Sequence, residues 1–275
     1  MVVMVFFYLW LGLRQALRND RVLKAGEYER IRVKPEDKVH VWPNLIRLEF
    51  LATILVMVIL TVWAINIDAP LEGPANPTKT PNPSKAPWYF LGLQEMLVYF
   101  DPWIAGVVLP LLIVIGLILI PYIDVNPKGN GYYSFNDRKF AIFTFCFGFI
   151  FLWVLLIIVG TFLRGPGWNF FMPWEKWDPH KVVAITNINL SEKFGIRSSF
   201  WGSLFGGSVL AGYYTLGFLF YIWRGRTNET IQKLGKVRYS IVAFLFLTMM
   251  GLLIKIFLRL VLNIQYVWVT PWFNI

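Results

Sequence analysis

Cysteine is nearly absent from this 275-residue chain, where Cys146 stands alone. A single thiol excludes an internal disulfide, a CxxCH haem attachment and a paired-cysteine metal site, and inside an apolar run it reads as a small hydrophobe. Histidine is almost as scarce: His40 and His180 both fall outside the long apolar runs. The chain therefore lacks the facing histidine pairs that would hold a b-type haem inside a helical bundle. Charge is thin as well. Asp, Glu, Lys and Arg make up 15% of the residues, against about a quarter in soluble domains, which excludes an ordinary soluble protein. The 26 basic residues outnumber the 16 acidic ones, but they cluster between apolar runs. Membrane topology accounts for that pattern, and no nucleic-acid partner is expected.

What the chain has in abundance is apolar and aromatic surface: 57% hydrophobic residues, 18% aromatic, and 13 tryptophans. Amphipathic rings settle at the depth of lipid headgroups. Five runs reach the ~20 residues needed to cross a bilayer: 46–67, 102–123, 139–163, 199–223 and 239–263. Backbone amides in lipid must be paired within their own segment, so each run is expected to be a helix, kinked at Pro110 in the second. The fold class is an all-α polytopic membrane protein. The opening stretch has only 13 residues before Arg14 and none of them is basic. It suits a helix lying in the interface, with Arg14 and Arg18 on its polar side, better than a signal peptide; a short sixth span is the alternative. Residues 14–47, 124–139 and 224–238 hold nine, three and five basic residues, whereas the two intervening loops hold seven. The richer side is expected to be cytoplasmic, which turns the loops at 68–101 and 164–198 outward.

The first outer loop, "DAPLEGPANPTKTPNPSKAPWYF", carries six prolines from Pro70 to Pro87. Proline fixes φ and stiffens a segment without a hydrogen-bond ladder, so a rigid cover is expected, followed by a short surface helix with Pro87 in its first turn. On that helix Trp88, Gly92, Glu95 and Tyr99 fall on one face, with Tyr89 beside it. An aromatic wall, a phenol and a carboxylate together suit a quinone ring and its protons. The same residues also suit a plain interfacial helix with aromatic anchors and a solvated Glu95.

The order and spacing of several pieces resemble the C-terminal half of cytochrome b, and most closely subunit IV of cytochrome b6f-type complexes. These are "VWPNLI" before the first span, "ANPTKT" and "APWYFLGLQEML" in the outer loop, and "LPLLIVIGLILIPYIDVNP" leading to the third span. The similarity covers about residues 40–163, and the tail from "FLRGPGWNFFMPWEKWDPHK" onward looks like extended bacterial versions. The resemblance implies a haem-free membrane subunit of a bc-type quinol:cytochrome c oxidoreductase in the bacterial inner membrane. Such complexes oxidise quinol at an outer-face site, pass one electron to a Rieske iron–sulfur protein and the other to haem b in a cytochrome b subunit, and release protons outward. A c-type cytochrome, membrane lipid and a dimeric complex complete the implied partners. Pro87, Trp88, Tyr89 and Phe90 would line the quinol site. The chain departs from the family's Pro-Glu-Trp-Tyr motif at one position: Pro87 stands where the family has Glu. Of Glu72, Glu95 and Asp101, Glu95 is the candidate replacement as proton acceptor and Tyr89 the candidate hydrogen-bond donor. The alternative is that Glu95 anchors structure and a partner chain supplies the acceptor.

Three regions are expected: an N-terminal interfacial helix and cytoplasmic segment (1–45), a cytochrome b C-terminal-like three-helix region with the quinol-site loop (46–163), and an outer loop with two more spans (164–275). Lys255 and Arg259, one turn apart in the last span, are expected to snorkel or pair across a subunit boundary; an anionic lipid or a haem propionate is the alternative. The glycines from Gly202 to Gly212 mark a packing face. His180 reads as part of a folded partner-docking loop and no metal site is expected. A structural membrane anchor of a redox complex, without chemistry of its own, is the competing function.

Overall fold

The computed structural model describes residues 2–26, 38–68, 73–74, 76–78, 80–125, 132–181, 183, 187–225 and 227–275. Among them there is no strand, only isolated bridges, and five helices are long and apolar enough to cross a membrane. The protein is all-α and polytopic. We number the helices α1 (Val2–Ala25), α2 (Val41–Asn66), α3 (Leu91–Met96), α4 (Ile104–Ile123), α5 (Asn136–Leu163), α6 (Leu190–Lys193), α7 (Ser199–Arg224) and α8 (Glu229–Leu260).

The chain divides into two compact units. One comprises Met1–Thr80 and Lys128–Asp137. In it, α1 carries 24 residues, about 36 Å at 1.5 Å per residue. Its polar end is tied to the connection that follows the second span. Asn19 donates to the Tyr133 carbonyl at 2.8 Å, and the buried Asp20 carboxylate accepts from the Ser134 hydroxyl at 2.7 Å and from the Asn136 amide. The apolar half, Val3 to Leu13, stays mostly exposed. Within the later part of α2 three polar side chains bond backward onto their own backbone: Thr53 to Glu49, Thr61 to Met57 and Asn66 to Val62. That keeps their polar atoms satisfied at membrane depth.

The other unit comprises Pro81–Pro127 and Arg138–Ile275. Its core joins Met96, Tyr99, Phe100, Ile104 and Ala105 to Leu152 and Leu156 of α5 and Leu252 of α8. The expected kink at Pro110 takes a different form. A widened π-type turn, Ile104–Val108, immediately precedes Pro110 within the continuous helix, and regular α-helix runs on from Leu109. The last helix starts earlier than its apolar run. Asn228 caps it by accepting from the Thr230 and Ile231 amides, so the charged stretch from Glu229 is helical too, interrupted at Gly235 with φ +71°. The packing face expected of the glycines holds at Gly206 and Gly207. A Cβ on Gly206 would meet the backbone of Val267 and Trp268, so the C-terminal segment lies directly on α7 there. Lys255 does not snorkel: it is 3% exposed and turned into protein. Arg259 donates to Asn187 at 2.8 Å.

Candidate functional site

A short helix follows Pro87 as expected, in two parts, and Leu91, Gly92, Glu95 and Met96 within it are buried. Trp88–Phe90 form a 3-10 turn, and α3 continues from Leu91. Pro87 stands just ahead of the turn, with ψ 146°, and its carbonyl accepts the Phe90 amide at 2.8 Å. The helix seats closely on α5. A Cβ on Gly92 would lie 3.3 Å from Ile157 and 3.5 Å from Trp153, and one on Gly160 would lie 3.3 Å from the Leu91 carbonyl. A side chain at either glycine would press its neighbours by a few tenths of an ångström.

Trp88, Tyr89 and Phe90 are each about half exposed, at 49%, 50% and 50%. Tyr89 sits between the other two rings, edge-on to Trp88 at 5.5 Å and tilted against Phe90 at 4.7 Å. Glu95 lies elsewhere: its exposure is 0%. The solvated Glu95 of the interfacial-helix reading is thereby corrected. Each carboxylate oxygen takes two donors. Arg164 Nη2 (2.5 Å) and the Tyr99 hydroxyl (2.8 Å) donate to Oε1; Arg164 Nε (2.9 Å) and Trp168 Nε1 (3.1 Å) donate to Oε2. A forked guanidinium matches a carboxylate in this way with both charge and geometry. Each nitrogen of Arg164 donates at least once: Nη1 donates to the Trp168 carbonyl at 2.8 Å, and the guanidinium lies 3.7 Å from the centre of the Phe170 ring. Burial first, and the Glu95 carboxylate beside it second, push the Tyr99 phenol well above its ordinary range.

A tight turn makes this hub possible. Gly167 (φ +66°) and Trp168 (φ +58°) both adopt left-handed backbone, which folds residues 164–170 back on themselves. For tryptophan that conformation is strained, and the bonds from its indole and its carbonyl hold it there.

The proline-rich strap is fastened to the same platform. The Gln94 side chain accepts from the Ala86 amide (2.9 Å) and donates to the Ser84 carbonyl (2.8 Å). Asn82 accepts from the Gly167 amide at 2.6 Å. Lys85 donates to the Thr161 carbonyl at 2.8 Å, with its ammonium 4.9 Å from the Trp177 ring; partial burial lowers its pKa. The expected rigid cover is therefore anchored over residues 82–87. Of its earlier part, Glu72 and residues 69–71, 75 and 79 lie outside the described residues. Asp101 bonds the Trp103 amide at 3.0 Å. His180 is exposed, and its amide donates to Asp178 at 2.9 Å.

Sequence reasoning did not single out Arg164, Trp168 or Gln94. A signal was present. Glu95 is the one ionisable group on a short helix set among long apolar runs, and such a group needs a partner when buried. Arg164 directly ends the third apolar run, ahead of the turn-forming "GPG".

Residues 74–164 match the family model described as cytochrome b(C-terminal)/b6/petD. The resemblance read in the sequence thus holds over this stretch, which contains the strap, the aromatic triad, α3, α4, α5 and Arg164. No curated protein and no solved structure matches the chain.

Proposed function

We propose that this chain is a membrane subunit of a bc-type quinol oxidoreductase, in which Pro87, Trp88, Tyr89 and Phe90 form part of the wall of the outer-face quinol oxidation site. The observation that carries the reading is the half-exposed triad of rings on a helix made rigid by a sealed polar hub, within the stretch that matches cytochrome b. Two aromatic faces and one phenol suit a planar ring bearing polar oxygens. In this reading the Tyr89 hydroxyl donates to a quinone oxygen, which helps to orient the ring.

Glu95 has four donors on two oxygens. That arrangement favours the anchoring role over proton acceptance, since no lone pair remains free for a substrate hydroxyl. The proton acceptor then comes from a partner chain. Oxidation of quinol gives two electrons and two protons. The electrons leave to a Rieske iron–sulfur protein and to haem b in a cytochrome b subunit. The two histidines here lie outside every span and do not fit a membrane-buried haem pair, so both redox groups are assigned to partners. The complex then sits in a bacterial inner membrane, with its outer loops facing the side of a c-type cytochrome and the protons released there.

Quinol turnover by the complex tests this. Tyr89→Phe should raise KM for quinol about three- to tenfold, the size of one lost hydrogen bond of ~1 kcal/mol. Trp88→Ala should lower turnover more. Unchanged kinetics in both variants would remove the triad from the site.

A further inference from the structure

The far end of the platform is held by a residue that a membrane span has little reason to contain. Lys255 lies in α8 and is 3% exposed. An intramembrane lysine is costly, and one near a helix end ordinarily reaches for the headgroups. This one turns inward. Its Nζ donates to the Gln265 carbonyl at 2.7 Å, 5.7 Å from the centre of the Phe100 ring and 5.3 Å from that of Tyr266. Phe100 is 7% exposed and directly follows Tyr99, the phenol that donates to Glu95. Leu252, one turn before Lys255, belongs to the same core as Tyr99 and Phe100, and Phe273 and Ile275 pack against it. The Asn274 side chain adds a long hydrogen bond to Asp101 at 3.4 Å. All of these partners, from Leu252 to Ile275, lie beyond the stretch that matches cytochrome b.

We infer that Lys255 is a positioning residue: by its cation–π contact it fixes Phe100, and through Phe100 the segment 88–100, which carries the aromatic triad, Glu95 and Tyr99. The site platform is thereby clamped at both ends. Arg164 holds it from the loop after α5, and Lys255 holds it from the last span. Cation–π contacts strengthen when desolvated, which suits a buried ammonium within 6 Å of two rings. The clamp stands on the contacts themselves; its consequence for catalysis rests on the quinol reading above.

The test uses the complex purified from membranes, with Lys255→Met, Lys255→Arg and Phe100→Leu. Amide hydrogen exchange over residues 91–101 should quicken about tenfold in Lys255→Met and in Phe100→Leu, while the rest of the chain exchanges as before. Lys255→Arg keeps a cation and should restore the slow rate. The double variant Lys255→Met with Phe100→Leu should be no worse than either single change, because both remove the same contact. Unchanged exchange over 91–101, or exchange quickened equally throughout the chain, overturns the inference. In turnover, Lys255→Met should raise KM for quinol several-fold with kcat within twofold, and Lys255→Arg should reverse it. If exchange quickens locally while KM stays the same, the clamp stands and the assignment of the triad to quinol fails.

Discussion

Replacing Arg164 by Met tests the hub that holds the platform. Glu95 is fully buried and Arg164 is 4% exposed. Met fills much the same volume, so packing is largely kept. What changes is charge: the Glu95 carboxylate keeps only Tyr99 and Trp168 as donors, and an unpaired charge remains in a dry site. Breaking one side of a buried ion pair costs about 3–5 kcal/mol. For a chain of this size, that corresponds to a fall in thermal midpoint of roughly 6–20 °C. Differential scanning fluorimetry of the purified complex, at fixed detergent and lipid, reads this. Adding Glu95→Gln to Arg164→Met removes the stranded charge but keeps one acceptor for the phenol and the indole. The double variant should therefore recover at least half of the loss. A midpoint within about 2 °C of the parent for Arg164→Met, or a double variant no more stable than the single one, would refute the claim that the pair is what holds the helix down.

Tyr99 predicts an alkaline response. Its folded pKa is raised above the ordinary 10.0 by burial and then by Glu95. Below about pH 10 both folded and unfolded chains keep the proton and stability is unaffected. Above it the unfolded chain releases a proton that the folded chain retains, so stability falls with rising pH. Tyr99→Phe should flatten that fall by one proton's worth in a thermal-midpoint series from pH 8 to 12; an unchanged slope would count against the buried phenol. Gly206→Leu should destabilise the C-terminal segment by about 1–3 kcal/mol, because the new side chain meets backbone at Val267 and Trp268. Limited proteolysis near the C-terminus should show it, with Gly212→Leu as the neutral comparison, where nothing lies within 4 Å of the added carbon.

Much of the fold was legible because membrane crossing is a matter of length and composition. The five apolar runs became five long helices, and the charged connections fell between them. Boundaries were less legible where local chemistry extends a helix past its apolar part. The cap at Asn228 carries α8 ten residues ahead of the run that begins at 239, into a charged stretch that no hydropathy argument would include. At the site, Pro87 followed by a cluster of rings announced a short helix, and one formed, with most of α3 buried. Which way Glu95 would face was not legible. Helical spacing placed it with Trp88, but the 3-10 turn at 88–90 offsets the triad from α3, and Glu95 turned into the protein. Its partner Arg164 stands 69 positions away, and local patterning does not encode such a pairing. Lys255 illustrates the same limit. Its place near a span end favoured snorkelling, whereas the tail that folds back over α8 supplies Gln265 and Tyr266 to receive it.

The most direct measurement is photolabelling of the purified complex with a photoactivatable quinone, followed by mass spectrometric mapping. The account predicts label on the peptide spanning Pro81 to Phe100, with the adduct at Trp88, Tyr89 or Phe90, and loss of that label when an outer-site quinol inhibitor is present. Label confined to other peptides, or label on the triad that no outer-site inhibitor displaces, would contradict it.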